Sequence, residues 1–269
     1  MQDDYGRQVR LARPAARIVS LAPHLTELLY DAGAGSRLVG AVDFSDFPPQ
    51  ARALPRVGSD ARIDLEAVIG LRPDLVVAWP NAGSLRAVDR LAELGLPVFR
   101  SEPRELEDIA RTLERLGRLA GTESQGDAAA SAFRARAADL RARYSDGRKV
   151  RVFYQIWDRP ILTVNGAHVI SKVIDLCGGE NVFASAPLLV PEVDREAVLR
   201  ANPEVIVASG SNEAEPQWLE AWTRFAGLAA VDANHLYAIP ADLIQRQTPR
   251  ILDGAERLCT ILARVRARS

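Results

Sequence analysis

The sequence predicts an α/β fold of two similar lobes. Each has a central, mostly parallel sheet; one long rigid helix joins them, and a ligand cleft lies between them. Three observations predict this. Residues 65–79, "LEAVIGLRPDLVVAW", are echoed by residues 195–209, "REAVLRANPEVIVAS", at a constant offset of 130 residues. Strand-like and helix-like segments alternate in each half, which is the pattern of a parallel sheet covered by helices. The halves are separated by an Ala- and Arg-rich segment of helical composition.

In the first half, residues 17–21 (RIVSL) read as a short buried strand. Residues 23–33 place Leu25, Leu28 and Leu29 at helical spacing and stop at Gly33. A strand at 38–42 follows, then a helix over 64–71, Pro73 as breaker, a strand at 74–79, a helix at 84–94 and a strand at 97–100. The second half reads similarly: a strand at 150–156, a helix from 168 closed by a Gly pair, a helix at 194–201, and strands at 204–209 and 235–239. A closing helix then begins near Pro249. The intervening helix, capped by Thr122 or Ser124 and ended by Asp146-Gly147, runs from 122 to 144. At 1.5 Å per residue it is roughly 34 Å long, a strut that restricts hinge motion and unlike a flexible linker. The expected organisation is an N-terminal extension at 1–16, a lobe at 17–120, the bridging helix at 121–147 and a second lobe at 148–269.

Composition narrows the function. The apolar fraction of 48% is ample for packed cores, and a formal net charge of −1 gives no electrostatic case for nucleic-acid binding. No apolar run is long enough to cross a bilayer. Lys149 and Lys172 are the only lysines, a bias read as genome composition. The start, "MQDDYGRQVRLARPAARIVSL", lacks the apolar core of a signal peptide. That fits either a cytosolic protein or a mature exported chain whose signal peptide has been removed. Cys177 and Cys259 belong to no CxxC or Cys/His cluster, which argues against zinc. Composition alone leaves two readings: buried free thiols, or a disulfide formed in an oxidising compartment.

Signatures of catalysis are missing from the sequence. "GAGSRL" at 33–38 has Leu38 where a dinucleotide loop needs its third Gly, and it follows a helix instead of a strand, so it reads as a helix end and turn. There is no GxxxxGK[ST] or GxSxG motif, and His24, His168 and His235 are far apart with no HExxH pair. The expectation is a binding protein without intrinsic cofactor. The competing class is a cytosolic two-lobed α/β enzyme, which free thiols at Cys177 and Cys259 would favour.

In parallel sheets, ligand contacts gather at the carboxyl ends of the strands. Those positions carry Ala22-Pro23-His24, the loop at 43–50 with Phe44, Trp79, Trp157, and the segment at 241–250 with Asp242 and Arg246. The aromatics suit a large, flat, apolar ligand, and Asp242 and Arg246 suit polar groups on its periphery. Packing within a lobe is the alternative role for each aromatic taken singly.

The segments "RIVSLAPHLTELLYDAGAGSRLVGAVDFSDFPPQ", "LEAVIGLRPDLVVAW", "CGGENVF", "VPEVDREAVL" and "PRILDGAERLC", in order from about 17 to 266, resemble the periplasmic cobalamin-binding receptors of bacterial ABC importers. These belong to the helical-backbone metal-receptor class of solute-binding proteins, which also includes receptors for haem and ferric siderophores. The resemblance implies a monomeric receptor in the periplasm that carries cobalamin or a related corrinoid to an ABC permease dimer in the inner membrane. Haem or a ferric siderophore is the alternative cargo. By position, it implies that Phe44 and Trp79 contact the corrin ring, that Asp242 and Arg246 contact ligand side groups, and that Cys177 and Cys259 form a disulfide. The sequence departs from the cobalamin receptors at Asp60 and Val190, where they have Trp, and at Ile156, where an aromatic is replaced and the adjacent Trp157 is a substitute. His24 stands where a small residue is expected. An imidazole there is either an axial ligand for the cargo's metal or a helix-starting surface residue.

The repeat places Glu66 and Glu196 in the first turns of equivalent helices, where a carboxylate complements the macrodipole. The family implies a further role, one exposed Glu per lobe docking onto Arg residues of a two-fold permease.

Overall fold

A computed structural model of the protein describes residues 1–59, 61–81, 83–210 and 217–268. In the first half, β1 (Ile18–Ser20) leads into α1 (Pro23–Asp31), and β2 (Leu38–Ala41), α2 (Leu65–Gly70), β3 (Leu75–Ala78), α3 (Leu85–Glu93) and β4 (Val98–Arg100) follow. Two longer helices come next, α4 (Leu106–Ala120) and α5 (Glu123–Tyr144). The second half contains β5 (Val150–Gln155), α6 (Val169–Leu176), β6 (Gly179–Asn181), α7 (Arg195–Ala201) and β7 (Val205–Gly210). It ends with α8 (Gln217–Glu220), α9 (Ala229–Asp232), β8 (Leu236–Pro240), α10 (Ala241–Ile244) and α11 (Ile251–Arg268).

The two sheets share one plan. The first has the order β2-β1-β3-β4 and the second β6-β5-β7-β8, with every pairing parallel. Each therefore keeps its earliest strand second from one edge, as expected of a duplicated unit. The chain divides into two compact lobes, one of Met1–Pro103 with Glu107–Arg134, the other of Arg104–Leu106 with Ala135–Ser269. Val19, Val76, Val88 and Leu91 are among the core residues of the first; Phe153, Ile206 and Trp222 are among those of the second.

The duplicated stretch repeats its chemistry as well as its letters. The Asp64 carboxylate caps α2 by accepting from the Ala67 N–H at 2.9 Å, and Asp194 caps α7 through the Ala197 N–H at 2.7 Å. A left-handed residue follows each helix, Arg72 (φ 46°) two residues past α2 and Asn202 (φ 40°) directly after α7, and Pro73 and Pro203 prevent continuation. The acid after each proline then ties down the next strand's neighbour. Asp74 accepts from the Ala16 and Arg17 N–H groups, and Glu204 from the Arg151 N–H. The same two arginines reach back to the ends of the helices, Arg17 to the Leu71 carbonyl and Arg151 to the Ala201 carbonyl.

Several elements go beyond the sequence reading. Helix α4 lies outside the elements the sequence predicts, although Ile109, Leu113, Leu116 and Ala120 give it a buried stripe at helical spacing. Strand β6 is three residues, Gly-Glu-Asn, with no apolar signature, and α8, α9 and α10 are single turns. Helix α5 buries Gly126, Ala130, Phe133 and Leu140, a sparse seam that its polar composition conceals. Gly126 allows close approach to α4, because a Cβ there would sit 2.7 Å from the Leu113 carbonyl oxygen. The N-terminal residues are ordered against β4, with the Asp4 N–H donating to the Arg100 carbonyl at 3.0 Å and the buried Asp3 carboxylate accepting from the Tyr5 and Arg7 N–H groups. This covers a sheet edge that would otherwise present unpaired backbone groups. Cys177, just past α6, and Cys259 in α11 form a buried disulfide.

Candidate functional site

Because every pairing is parallel, the carboxyl ends of the strands in one sheet emerge along one edge. In the first lobe this edge gathers Pro23, His24, Phe44 and Trp79. Pro23 opens α1 directly after β1, where its fixed φ suits a first turn. His24 is 5% exposed. Its ring meets Trp79, one residue past β3, edge-on, with centroids 5.5 Å apart and planes at 77°. The Trp79 carbonyl accepts from Ser84 Oγ at 3.1 Å, which fixes the turn that follows it.

Phe44 lies past β2 and is 75% exposed, with φ at 61°. The residue after it is anchored in the core. The hydroxyls of Ser20, Thr26 and Ser45, all buried, form a chain with separations of 2.9 and 3.1 Å, joining the end of β1, the first turn of α1 and the Phe44 loop.

The second lobe gathers Trp157, Asp242 and Arg246 at its equivalent edge. Trp157 is 54% exposed and tilts against Trp218, with ring centroids 6.0 Å apart. Gln155 braces the turn: its Nε2 donates to the Trp157 carbonyl at 3.1 Å, and its Oε1 accepts from Trp222 Nε1 at 2.8 Å. Asp242 and Arg246, one helical turn apart after β8, form an ion pair at 3.0 Å in which Arg246 is mostly buried. Arg246 is therefore presented at this edge as part of an ion pair. At the end of β7, where the repeat offset aligns Ser209 with Trp79, Ser209 is buried and its hydroxyl lies 2.5 Å from Tyr154 Oη.

Of the positions where the sequence departs from cobalamin receptors, Ile156 is half-buried and donates its N–H to the Leu162 carbonyl. Val190 is exposed together with Leu188 and Leu189. Asp60 lies outside the described residues. Leu188, Leu189, Trp218 and Trp222 are not among the sequence-predicted site residues, although the apolar triplet between Pro187 and Pro191 is a signal of an exposed apolar loop. Glu66 and Glu196 are exposed in the first turns of α2 and α7, each two residues past its capping aspartate. Among the described residues, no group of three or more His, Cys, Asp or Glu is placed to hold a metal ion, and no helix is long and apolar enough to cross a membrane.

These features, two parallel-sheet lobes with aromatic and polar strand-end loops, are those of a solute receptor. The chain belongs to the periplasmic binding protein family, whose family model matches residues 18–243. It is 41% identical to the vitamin B12-binding protein of Vibrio cholerae over 249 residues, which is 93% of this chain and 90% of that one. The crystal structure of the periplasmic vitamin B12 binding protein BtuF of Vibrio cholerae is similar with a TM-score of 0.86 and 40% identity, over 94% of this chain and 98% of that one. The periplasmic heme-binding protein RhuT from Roseiflexus sp. RS-1 shares the fold, with a TM-score of 0.80 at 21% identity over 93% of this chain and 99% of that one.

Proposed function

We propose that the protein is the substrate-binding protein of an ABC importer, capturing cobalamin or a related corrinoid in the periplasm and delivering it to the membrane permease. The observation that carries the corrinoid assignment is the 41% identity to a vitamin B12-binding protein across nearly the whole chain, about double the 21% shared with a heme-binding receptor of the same fold. The first lobe contributes apolar contact through Phe44 and Trp79, with Pro23 shaping the turn. The second contributes Trp157 and the Asp242–Arg246 pair, whose guanidinium and carboxylate suit the amide groups around a corrin ring. A negatively charged ferric siderophore would call for several arginines, whereas Arg246 is already paired with Asp242.

The role is binding without catalysis, and the chain acts as an exported monomer. The buried Cys177–Cys259 disulfide supports export, because such bonds persist in oxidising compartments. Glu66 and Glu196 are the permease handles, one per lobe. For His24, its burial edge-on to Trp79 favours support of that ring over axial ligation of cobalt. The His24→Ala variant is therefore expected to leave the visible spectrum of bound corrinoid unchanged; a shifted spectrum would establish ligation.

Calorimetric titration with cyanocobalamin, cobinamide and haemin side by side tests the assignment. Saturable heat with a corrinoid and none with haemin is the expected result. Heat with haemin alone would transfer the assignment to the haem receptors.

A further inference from the structure

The backbone at Phe44 is unusual for what it carries. A φ of 61° places a Cβ-bearing aromatic residue in the left-handed region, which Gly, Asn or Asp occupies far more readily. Its ring is 75% exposed, so burial within the lobe does little to offset the conformation. Such a conformation persists only when its surroundings over-determine it, and it clusters where presentation of a side chain matters.

The surroundings are identifiable. On one side of Phe44, the Asp43 N–H donates to the Gly58 carbonyl at 2.8 Å. On the other, Ser45 is tied into the buried hydroxyl chain. Arg56 spans both: Nη1 donates to the Val42 carbonyl and Nη2 to the Ser45 carbonyl, each at 3.1 Å. The reach of Arg56 is set by its own backbone, because Ala41 N–H donates to Pro55 O at 3.0 Å and Val57 N–H to Ala41 O at 3.1 Å. This pins the segment along the edge of β2. Gly58 completes the strut; its φ is +93°, and a Cβ there would collide with the Arg62 carbonyl oxygen.

We infer that Arg56 is a positioning residue for ligand capture, its forked guanidinium holding Phe44 in the left-handed conformation that presents the ring as a platform for a flat apolar ligand. The inference rests on the reading of Phe44 as a ligand contact. It deepens that reading by assigning the conformation of the platform to a residue that acts through Phe44. A lysine cannot reproduce the fork, since its ammonium is a point donor.

The test combines a double-mutant cycle with hydrogen exchange. Arg56→Ala and Arg56→Lys should weaken cyanocobalamin binding on the order of tenfold when Phe44 is present, and by less than about twofold in a Phe44→Ala background. Phe44→Gly should weaken binding while leaving thermal stability equal or raised, which a purely structural role for Phe44 would not do. Amide exchange at residues 43–46 should accelerate in Arg56→Ala with the rest of the lobe unchanged. Additive losses in the cycle would overturn the inference, and so would unchanged exchange at 43–46, whatever the ligand result. Absence of cyanocobalamin binding by the unmodified protein would instead overturn the corrinoid reading, with exchange then deciding whether Arg56 holds the loop.

Discussion

Tyr154 Oη and Ser209 Oγ lie 2.5 Å apart at the buried carboxyl ends of β5 and β7. Burial pushes the phenol above its ordinary range, only partly opposed by its hydrogen bonds to Ser209 and Gln245. Gln245 is adjacent to Arg246, so this network couples the sheet to the turn carrying the Asp242–Arg246 pair. Tyr154→Phe leaves the Ser209 hydroxyl short of a partner and should cost about 1–2 kcal/mol in urea denaturation. The Tyr154→Phe/Ser209→Ala double variant should cost less than the two single changes added together, because both ends of the bond are then apolar. Strict additivity would show that the two hydroxyls do not depend on each other.

Glu66 and Glu196 should matter to transport and not to capture. Each is exposed in the first turn of its helix, beside an aspartate cap that is already engaged with the backbone. Reversing both to Arg should abolish corrinoid uptake in permease-containing vesicles and leave solution affinity within about twofold, since exposed charges act mainly on encounter with a partner. Weakened corrinoid binding in the double reversal would place these residues at the ligand instead.

His168 should make stability depend on acid. Its Nδ1 accepts from the Ile170 N–H and caps α6, and burial pushes its pKa down to about 4. A depressed folded-state pKa means the unfolded chain binds the proton first, so stability is highest above the unfolded value near 6.5 and falls as pH drops toward 4. The full shift would be worth at most about 3 kcal/mol. His168→Asn keeps a capping acceptor but does not titrate. Melting temperatures measured from pH 7.5 to 4 should decline less steeply in this variant, and parallel curves would rule out His168 as the source.

Much of this was legible in the sequence because it is written in local patterns. The repeat at an offset of 130 residues identified two lobes of one plan, since helix caps, breakers and buried strands use residue types that serve the same purpose wherever they stand. The strand-end aromatics were legible for the same reason, because parallel topology decides which ends share an edge. What escaped detection depends on long-range partners. Strand β6 exists because β5 offers it a backbone ladder, and nothing in Gly-Glu-Asn announces that. The contribution of Arg56 was invisible because its acceptors are carbonyls 14 and 11 residues away, and carbonyls have no sequence signature. The ion pair between Arg246 and Asp242 is equally silent in the sequence, where the two read only as polar groups for the periphery of a ligand.

The disulfide gives the most direct measurement on the second lobe. Cys177 and Cys259 are separated by 82 residues and join the end of α6 to α11. By loop-closure entropy, a cross-link of that span should contribute roughly 4.5 kcal/mol by constraining the unfolded chain. The bond is buried, so reduction under native conditions should be slow and require opening of the lobe. Cys177→Ser/Cys259→Ser should therefore lower the denaturation midpoint of the second lobe and leave that of the first nearly unchanged, resolved by hydrogen exchange on each lobe separately. Equal loss in both lobes would mean that they unfold as one cooperative unit.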